Sequence, residues 1–419
     1  MTDAALPLPN RDASVEGTTC HRADFMVVGA RLLSMEGAGS LLIDQAFAVS
    51  RGFIVDVGHR EAVACRYRAC HVIDLTGYIV MPAPIDAHCH LDRTSLDLDA
   101  SDSLESQLAA INNYRAHATF GEVESSTRLG CESLSRAGYG AFLSHQNSRF
   151  LETAMAAGSS TETVSRWARI SLDHPQAPDS IREAPELAVA GTVWHHRRDP
   201  RVIFGPMGLH ACSLELMAAV AQAAHAHTIP IHTHVAESEE AASRLLARYG
   251  KTEIALLLEL GALGPSTSVV HCNWITQADI EIILATGTRV VACPTSWVPD
   301  QTTDIKDLIR AGASVGLGSD SCCNVRELAT AAFNGLRRCG ADPRQAAFSA
   351  LRMLTIHGAE ALGIDKTAGS IAAGKLARLA AVRFDAEGQA CHDIARDAGI
   401  RLFEIGNETA LISALVGAR

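Results

Sequence analysis

The chain has 419 residues, 47% of them hydrophobic and 20% charged, with a formal net charge of −11. That is enough for two to three domains of roughly 150 residues, or one large barrel and a smaller unit, and the composition excludes a disordered, collagen-like or coiled-coil protein. The acidic balance and the lack of a basic run exclude nucleic acid as a partner, and no apolar stretch reaches the ~20 residues of a membrane span.

The opening stretch to Gly17 has no basic flank and no apolar core, so it is not read as a secretory signal. Residues 1–22 read as a short tail. The twelve cysteines are scattered, without the spacing of a disulfide framework. Reduced thiols in a cytoplasm are the expectation.

Residues 23–80 carry short β-rich runs at Phe25–Val28, Ala46–Val49, Phe53–Val57 and Tyr78–Met81. Gly, Asp and Arg punctuate them, as in a small β-sandwich. From about residue 79, short apolar runs alternate with helical patterns. The runs predict strands at Tyr78–Ile85, Ala141–Ser144, Val202–Pro206, Ile229–His234, Ser268–His271, Arg289–Cys293 and Ser314–Gly318. Helices are predicted at Leu214–Ala226, Glu237–Tyr249, Lys251–Leu260 and Ile305–Ala311. Buried apolar strands followed by helices make βα units around a parallel sheet. An eighth strand is placed somewhere in 150–200. The span 81–365 therefore reads as an α/β protein's (β/α)8 TIM-type barrel. Residues 366–419 return to Gly turns and short apolar runs, so the small β-sandwich domain is expected to form from both chain ends.

Five strand ends carry groups suited to chemistry. Asp86-Ala-His88-Cys-His90-Leu-Asp92 follows the first strand. Residues i and i+2 of a strand face the same way, so His88 and His90 would aim together at the barrel mouth as a metal clamp. Ile231-His-Thr-His234-Val-Ala-Glu237 ends another strand. One imidazole there can bind a metal while the carboxylate sits beside a bound water or substrate. Spacing alone leaves either His232 or His234 as the ligand, and Glu237 also suits the first turn of the next helix. Ser268-Val-Val-His271 offers a further imidazole. Val315-Gly-Leu-Gly-Ser-Asp320 delivers a carboxylate able to bind zinc or to take a proton from water. Gly208-Leu-His210-Ala-Cys-Ser213 puts His210 within reach of a substrate, and Ser213 reads as the cap of the helix from Leu214. Each motif alone has a plain structural explanation. Together they are what a barrel enzyme gathers at its strand ends.

These motifs resemble the amidohydrolase superfamily, and within it the metal-dependent aminohydrolases of the chlorohydrolase, guanine deaminase and S-adenosylhomocysteine deaminase-like group. The resemblance runs from about Ala23 to Phe384. Met81-Pro-Ala-Pro-Ile-Asp-Ala-His-Cys-His90 matches the family's opening motif. His234-Val-Ala-Glu237, Val270-His271-Cys272, Cys293-Pro-Thr-Ser296 and Gly318-Ser-Asp320-Ser321 follow in the family's order, and Leu354–Gly363 and Ala368–Lys375 match the stretch beyond the barrel. Departures are Ala83 where the family usually has Gly, Trp297 and His357 where it often has Asn, and Arg378 where an Asp is common.

The resemblance implies a mononuclear site in which His88, His90, His234 and Asp320 hold one divalent ion, zinc or, as in some relatives, iron. It implies that Glu237, His271 and Asp320 are catalytic around a bound water. His210 and Trp297 are the expected substrate contacts, by hydrogen bonding and by stacking on a flat heterocycle. The implied reaction is hydrolytic deamination of an amino- or imino-substituted N-heterocycle, such as a purine, pteridine, triazine or nucleoside derivative. The alternatives use the same water on a C–Cl, N-alkylamine, formimino or cyclic amide bond. A catalytically silent homologue would be expected to lose ligands, and every ligand position here is filled. Relatives are often dimers or larger, so a homo-oligomer is implied. The residues themselves add one restriction. Binuclear relatives bridge their metals through a carbamylated lysine between the His-x-His and the third ligand, and no Lys lies between His90 and His234.

Overall fold

The computed structural model describes residues 20–37, 41–97, 104–295, 303–321, 325–383 and 409–411. The chain opens with β1 (His21–Leu33), β2 (Leu41–Ser50), β3 (Phe53–His59), β4 (Tyr67–Asp74) and β5 (Tyr78–Pro82). The strand alternation is plain in β2. Phe47 and Val49 pack with Val27 and Ile54 on one face, while Ala46 and Ala48 pack with Met26 and Val63 on the other.

Eight parallel strands then follow in chain order: β6 (Ile85–Cys89), β7 (Ala141–Gln146), β8 (Val164–Ser171), β9 (Val202–Pro206), β10 (Ile231–Val235), β11 (Thr267–His271), β12 (Arg289–Ala292) and β13 (Val315–Leu317). They make a nearly closed TIM-type barrel. Finally β14 (Leu379–Arg383) and β15 (Thr409–Leu411) return to the first sheet, giving the order β15-β14-β5-β1-β2-β3 with β4 alongside β1. Both ends of the chain thus build the smaller sheet.

The predicted strand Tyr78–Ile85 proves to be two strands in two sheets. Pro84 has no N–H to give a ladder. On either side of the break, Ala83 N donates to Arg378 O at 2.9 Å and Gly140 N to Pro84 O at 2.8 Å. The eighth strand is β8, within the 150–200 window. Arg166 and Arg169 interrupt its apolar run, which hid it. Arg169 is nonetheless buried, because Glu183 accepts two hydrogen bonds from it at 2.8 and 2.6 Å.

The helix predicted from Glu237 begins at Glu239, with Ser238 as its cap accepting from Ala241 N at 3.2 Å. Glu237 is thereby released from a capping role. Ser213 does cap the helix Leu214–His227, accepting from Leu216 N at 3.0 Å, a contact worth about 1 kcal/mol.

β6 and β13 meet at one point. Asp320 N donates to His88 O at 2.9 Å and His90 N to Asp320 O at 3.2 Å. Gly318 makes this approach possible: a Cβ there would lie 2.7 Å from His88 Cβ and 2.9 Å from His88 O. Among the described residues no helix is long and apolar enough to cross a membrane.

Candidate metal centre

The barrel strands deliver their polar residues to one end. His88 and His90 come from the end of β6, His145 from β7, His234 from β10, His271 from β11, and Asp320 follows β13; all six are buried. One donor atom from each of His88, His90, His145 and His234 lies within 4.8 Å of the others, and the same holds for Glu237, His271 and Asp320. The two groups adjoin. Asp320 Oδ1 is 3.6 Å from His88 Nε2 and 3.4 Å from His90 Nε2. His271 Nε2 is 3.7 Å from Glu237 Oε1.

Each predicted ligand histidine is anchored through Nδ1. His88 Nδ1 is hydrogen-bonded to His232 Nε2 at 2.8 Å, and His232 Nδ1 to Ser268 Oγ at 2.6 Å. His90 Nδ1 is 2.9 Å from His145 O, and His234 Nδ1 is 2.9 Å from Met207 O. Such second contacts hold each ring in place and leave Nε2 for a metal. In β10, His234 faces the cluster and His232 stands behind His88.

Burial, reinforced by neighbouring cationic or imidazole groups, pushes His90, His145 and His234 well below the ordinary histidine value. Neutral rings are what ligation requires. Burial alone would push the Asp320 carboxyl up, but His88, Arg93 and His271 outweigh it and hold it well below the usual carboxylate range. Arg93 donates to Asp320 Oδ1 at 3.1 Å. Burial pushes the Glu237 carboxyl the other way, up, despite His271. The two carboxyls are therefore shifted in opposite directions.

The donor set fits a divalent ion. His88 Nε2, His145 Nδ1 and both ring nitrogens of His271 are buried without a hydrogen-bond partner. An orphaned buried polar atom costs about 1–3 kcal/mol, and unprotonated nitrogens converging with a carboxylate are a zinc-type donor set.

The backbone is also strained here. Ala236, His271, Cys272 and Asp320 have φ of 47°, 72°, 55° and 60°, four of the eight described non-glycine residues with positive φ. Glu253 supports one of these turns. Its carboxylate accepts from Ala236 N at 2.7 Å and Leu209 N at 2.9 Å. Asp86 braces the seam, accepting from Ser319 N at 2.9 Å and Ser319 Oγ at 2.5 Å.

His210 is half-buried at the mouth, its ring centroid 6.4 Å from that of His234. Burial, with His271 nearby, lowers it to about 4. Trp297 lies outside the described residues. Sequence reasoning missed His145, Arg93 and Glu253. Only His145 had a local signal, since it directly follows the predicted strand Ala141–Ser144.

An eight-stranded parallel barrel that converges buried imidazoles and carboxyls on its strand ends defines a metal-dependent hydrolase. The chain belongs to the amidohydrolase family, whose model matches residues 79–399. It is a hydrolase of carbon–nitrogen bonds other than peptide bonds. It is 28% identical over 379 residues to a 5-methylthioadenosine/S-adenosylhomocysteine deaminase of Syntrophobacter fumaroxidans, covering 87% of this chain and 85% of that one. A zinc-bound adenosine deaminase from Xanthomonas campestris superposes with a TM-score of 0.78 at 22% identity, covering 90% of this chain and 89% of that one. An atrazine chlorohydrolase from Arthrobacter aurescens TC1 in complex with zinc gives 0.79 at 19% identity, covering 92% of each chain. These two structural likenesses carry the fold.

Proposed function

We propose that the chain is a mononuclear metal-dependent aminohydrolase that deaminates an amino- or imino-substituted N-heterocycle. The observation that carries this reading is the placing of Glu237. It lies beside His271 at 3.7 Å, with its carboxyl pushed up by burial, next to an Asp320 held ionised. His88, His90, His234 and Asp320 would hold the ion.

When bound, the ion lowers the pKa of a water towards about 7. Asp320 takes a proton from the attacking water as it adds to the amine-bearing ring carbon. His271 hydrogen-bonds that water and steadies the charge that develops on its oxygen. Glu237 gives its proton to the adjacent ring nitrogen. Asp320 then returns its proton to the amine, ammonia departs, Glu237 recovers a proton from the new hydroxyl, and a carbonyl remains. His210 contributes a neutral imidazole for hydrogen bonding at the mouth.

The names of the curated relatives put adenosine-derived nucleosides first among the heterocycles to try. The test is a screen of zinc-reconstituted protein against 5-methylthioadenosine, guanine, an aminopteridine and chlorinated and alkylamino triazines. Ammonia release from an aminated ring is expected. Release of chloride or alkylamine alone would overturn the deaminase reading in favour of the same water acting on another leaving group.

A further inference from the structure

The last residue but one of β7 is a histidine that belongs to none of the motifs. His145 has no exposed surface. Its Nε2 lies 2.8 Å from Gly205 O, a carbonyl that can only accept, so Nε2 carries the proton. In a neutral ring this makes Nδ1 the unprotonated nitrogen, and Nδ1 has no hydrogen-bond partner. A buried acceptor of this kind calls for an explanation.

Its surroundings supply one. The ring centroid of His145 is 4.8 Å from that of His234, 5.5 Å from that of His90 and 5.8 Å from that of His88. One of its ring nitrogens falls within the same 4.8 Å set as one from each of theirs. His88, His90 and His234 each tie down Nδ1 and offer Nε2. His145 follows the same logic with the nitrogens exchanged. Its main-chain carbonyl also receives His90 Nδ1 at 2.9 Å, so one residue orients a neighbour and presents a nitrogen of its own.

We propose that Nδ1 of His145 is a further donor to the ion, so that the site takes four imidazoles beside Asp320. The proposal rests on the metal-site reading above and adds one ligand to it.

The test uses the full chain loaded with cobalt(II), observed by proton NMR in water. Each ligated imidazole keeps one exchangeable ring N–H, which the paramagnetic ion shifts outside the ordinary range. Four such signals are expected from the wild-type protein; three would overturn the proposal while leaving the metal site standing. His145→Ala and His145→Asn should each lose one signal and bind zinc at least 10-fold more weakly in competition with a chelator. Unchanged affinity with every signal retained would also overturn the proposal. His234→Ala is the control. It should lose the ion, and full affinity in that variant would bring down both the metal-site reading and the additional ligand.

Discussion

His232 stands directly behind His88, its Nε2 2.8 Å from His88 Nδ1 and its own Nδ1 2.6 Å from Ser268 Oγ. Two side chains from two further strands thus fix the orientation of one proposed ligand ring. Replacing His232 by Ala should weaken zinc binding by roughly 10–100-fold. Chelator competition at neutral pH measures this, and an unchanged affinity would mean that His88 is held by packing alone.

Glu237 is placed beside the proposed ion site without being one of its ligands. Glu237→Gln should keep a full equivalent of metal while turnover falls by about 10²–10⁴-fold. Metal analysis and ammonia release on the same sample decide the matter. Bound metal with undiminished turnover would remove Glu237 from the mechanism.

Gly318 admits the approach of β13 to β6, and a Cβ there would meet His88 Cβ at 2.7 Å and His88 O at 2.9 Å. Both contacts are to parts of His88 that cannot swing aside. Gly318→Ala should cost about 1–3 kcal/mol of stability and weaken metal binding as well. Thermal unfolding of the metal-free proteins reports the first effect and zinc titration the second. Equal melting temperatures would show that the seam gives way freely.

Glu253 is buried, and that burial raises its carboxyl to about 7, against two stabilising backbone N–H contacts. A carboxyl raised above its unfolded value of about 4.3 contributes stability that is complete below that value. The contribution is lost as pH rises through about 7, a fall of about 3 kcal/mol. Glu253→Gln carries no such titration. Urea midpoints measured between pH 5 and pH 8 should therefore decline more for the wild type than for the variant. Parallel profiles would rule out Glu253 as the source.

Most of the barrel is visible in the sequence because parallel strands are buried on both faces and read as apolar runs. β8 escaped this rule through Arg166 and Arg169; the burial of Arg169 depends on Glu183, a partner beyond the strand itself. The strand over Tyr78–Ile85 failed for a different reason. Hydropathy does not register a change of sheet, and Pro84 was the only local mark of it. The predicted ligands His88, His90, His234 and Asp320 lie together in the structure, His88 and His234 in the last two residues of their strands and His90 and Asp320 just beyond theirs. His145 lies one residue beyond a predicted strand and in none of the family's motifs, so nothing beyond that position marks it in the sequence. Glu253 and Arg93 act through contacts that only the folded chain creates, Glu253 on the turns after β9 and β10 and Arg93 on Asp320 across 227 positions of sequence.

The seam between β6 and β13 has a consequence for synthesis. Asp320 meets His88 through the main-chain bonds that join the first barrel strand to the last. While the chain is being made, His88 and His90 leave the ribosome long before the carboxylate exists. An ion that reaches those imidazoles early has an incomplete partner set and can leave again. On the proposed ligand set the last donor falls into place only when β13 arrives, so capture of the metal and completion of the barrel would be the same late event. A chain stalled before Asp320 would bind weakly and exchangeably whatever histidines it held.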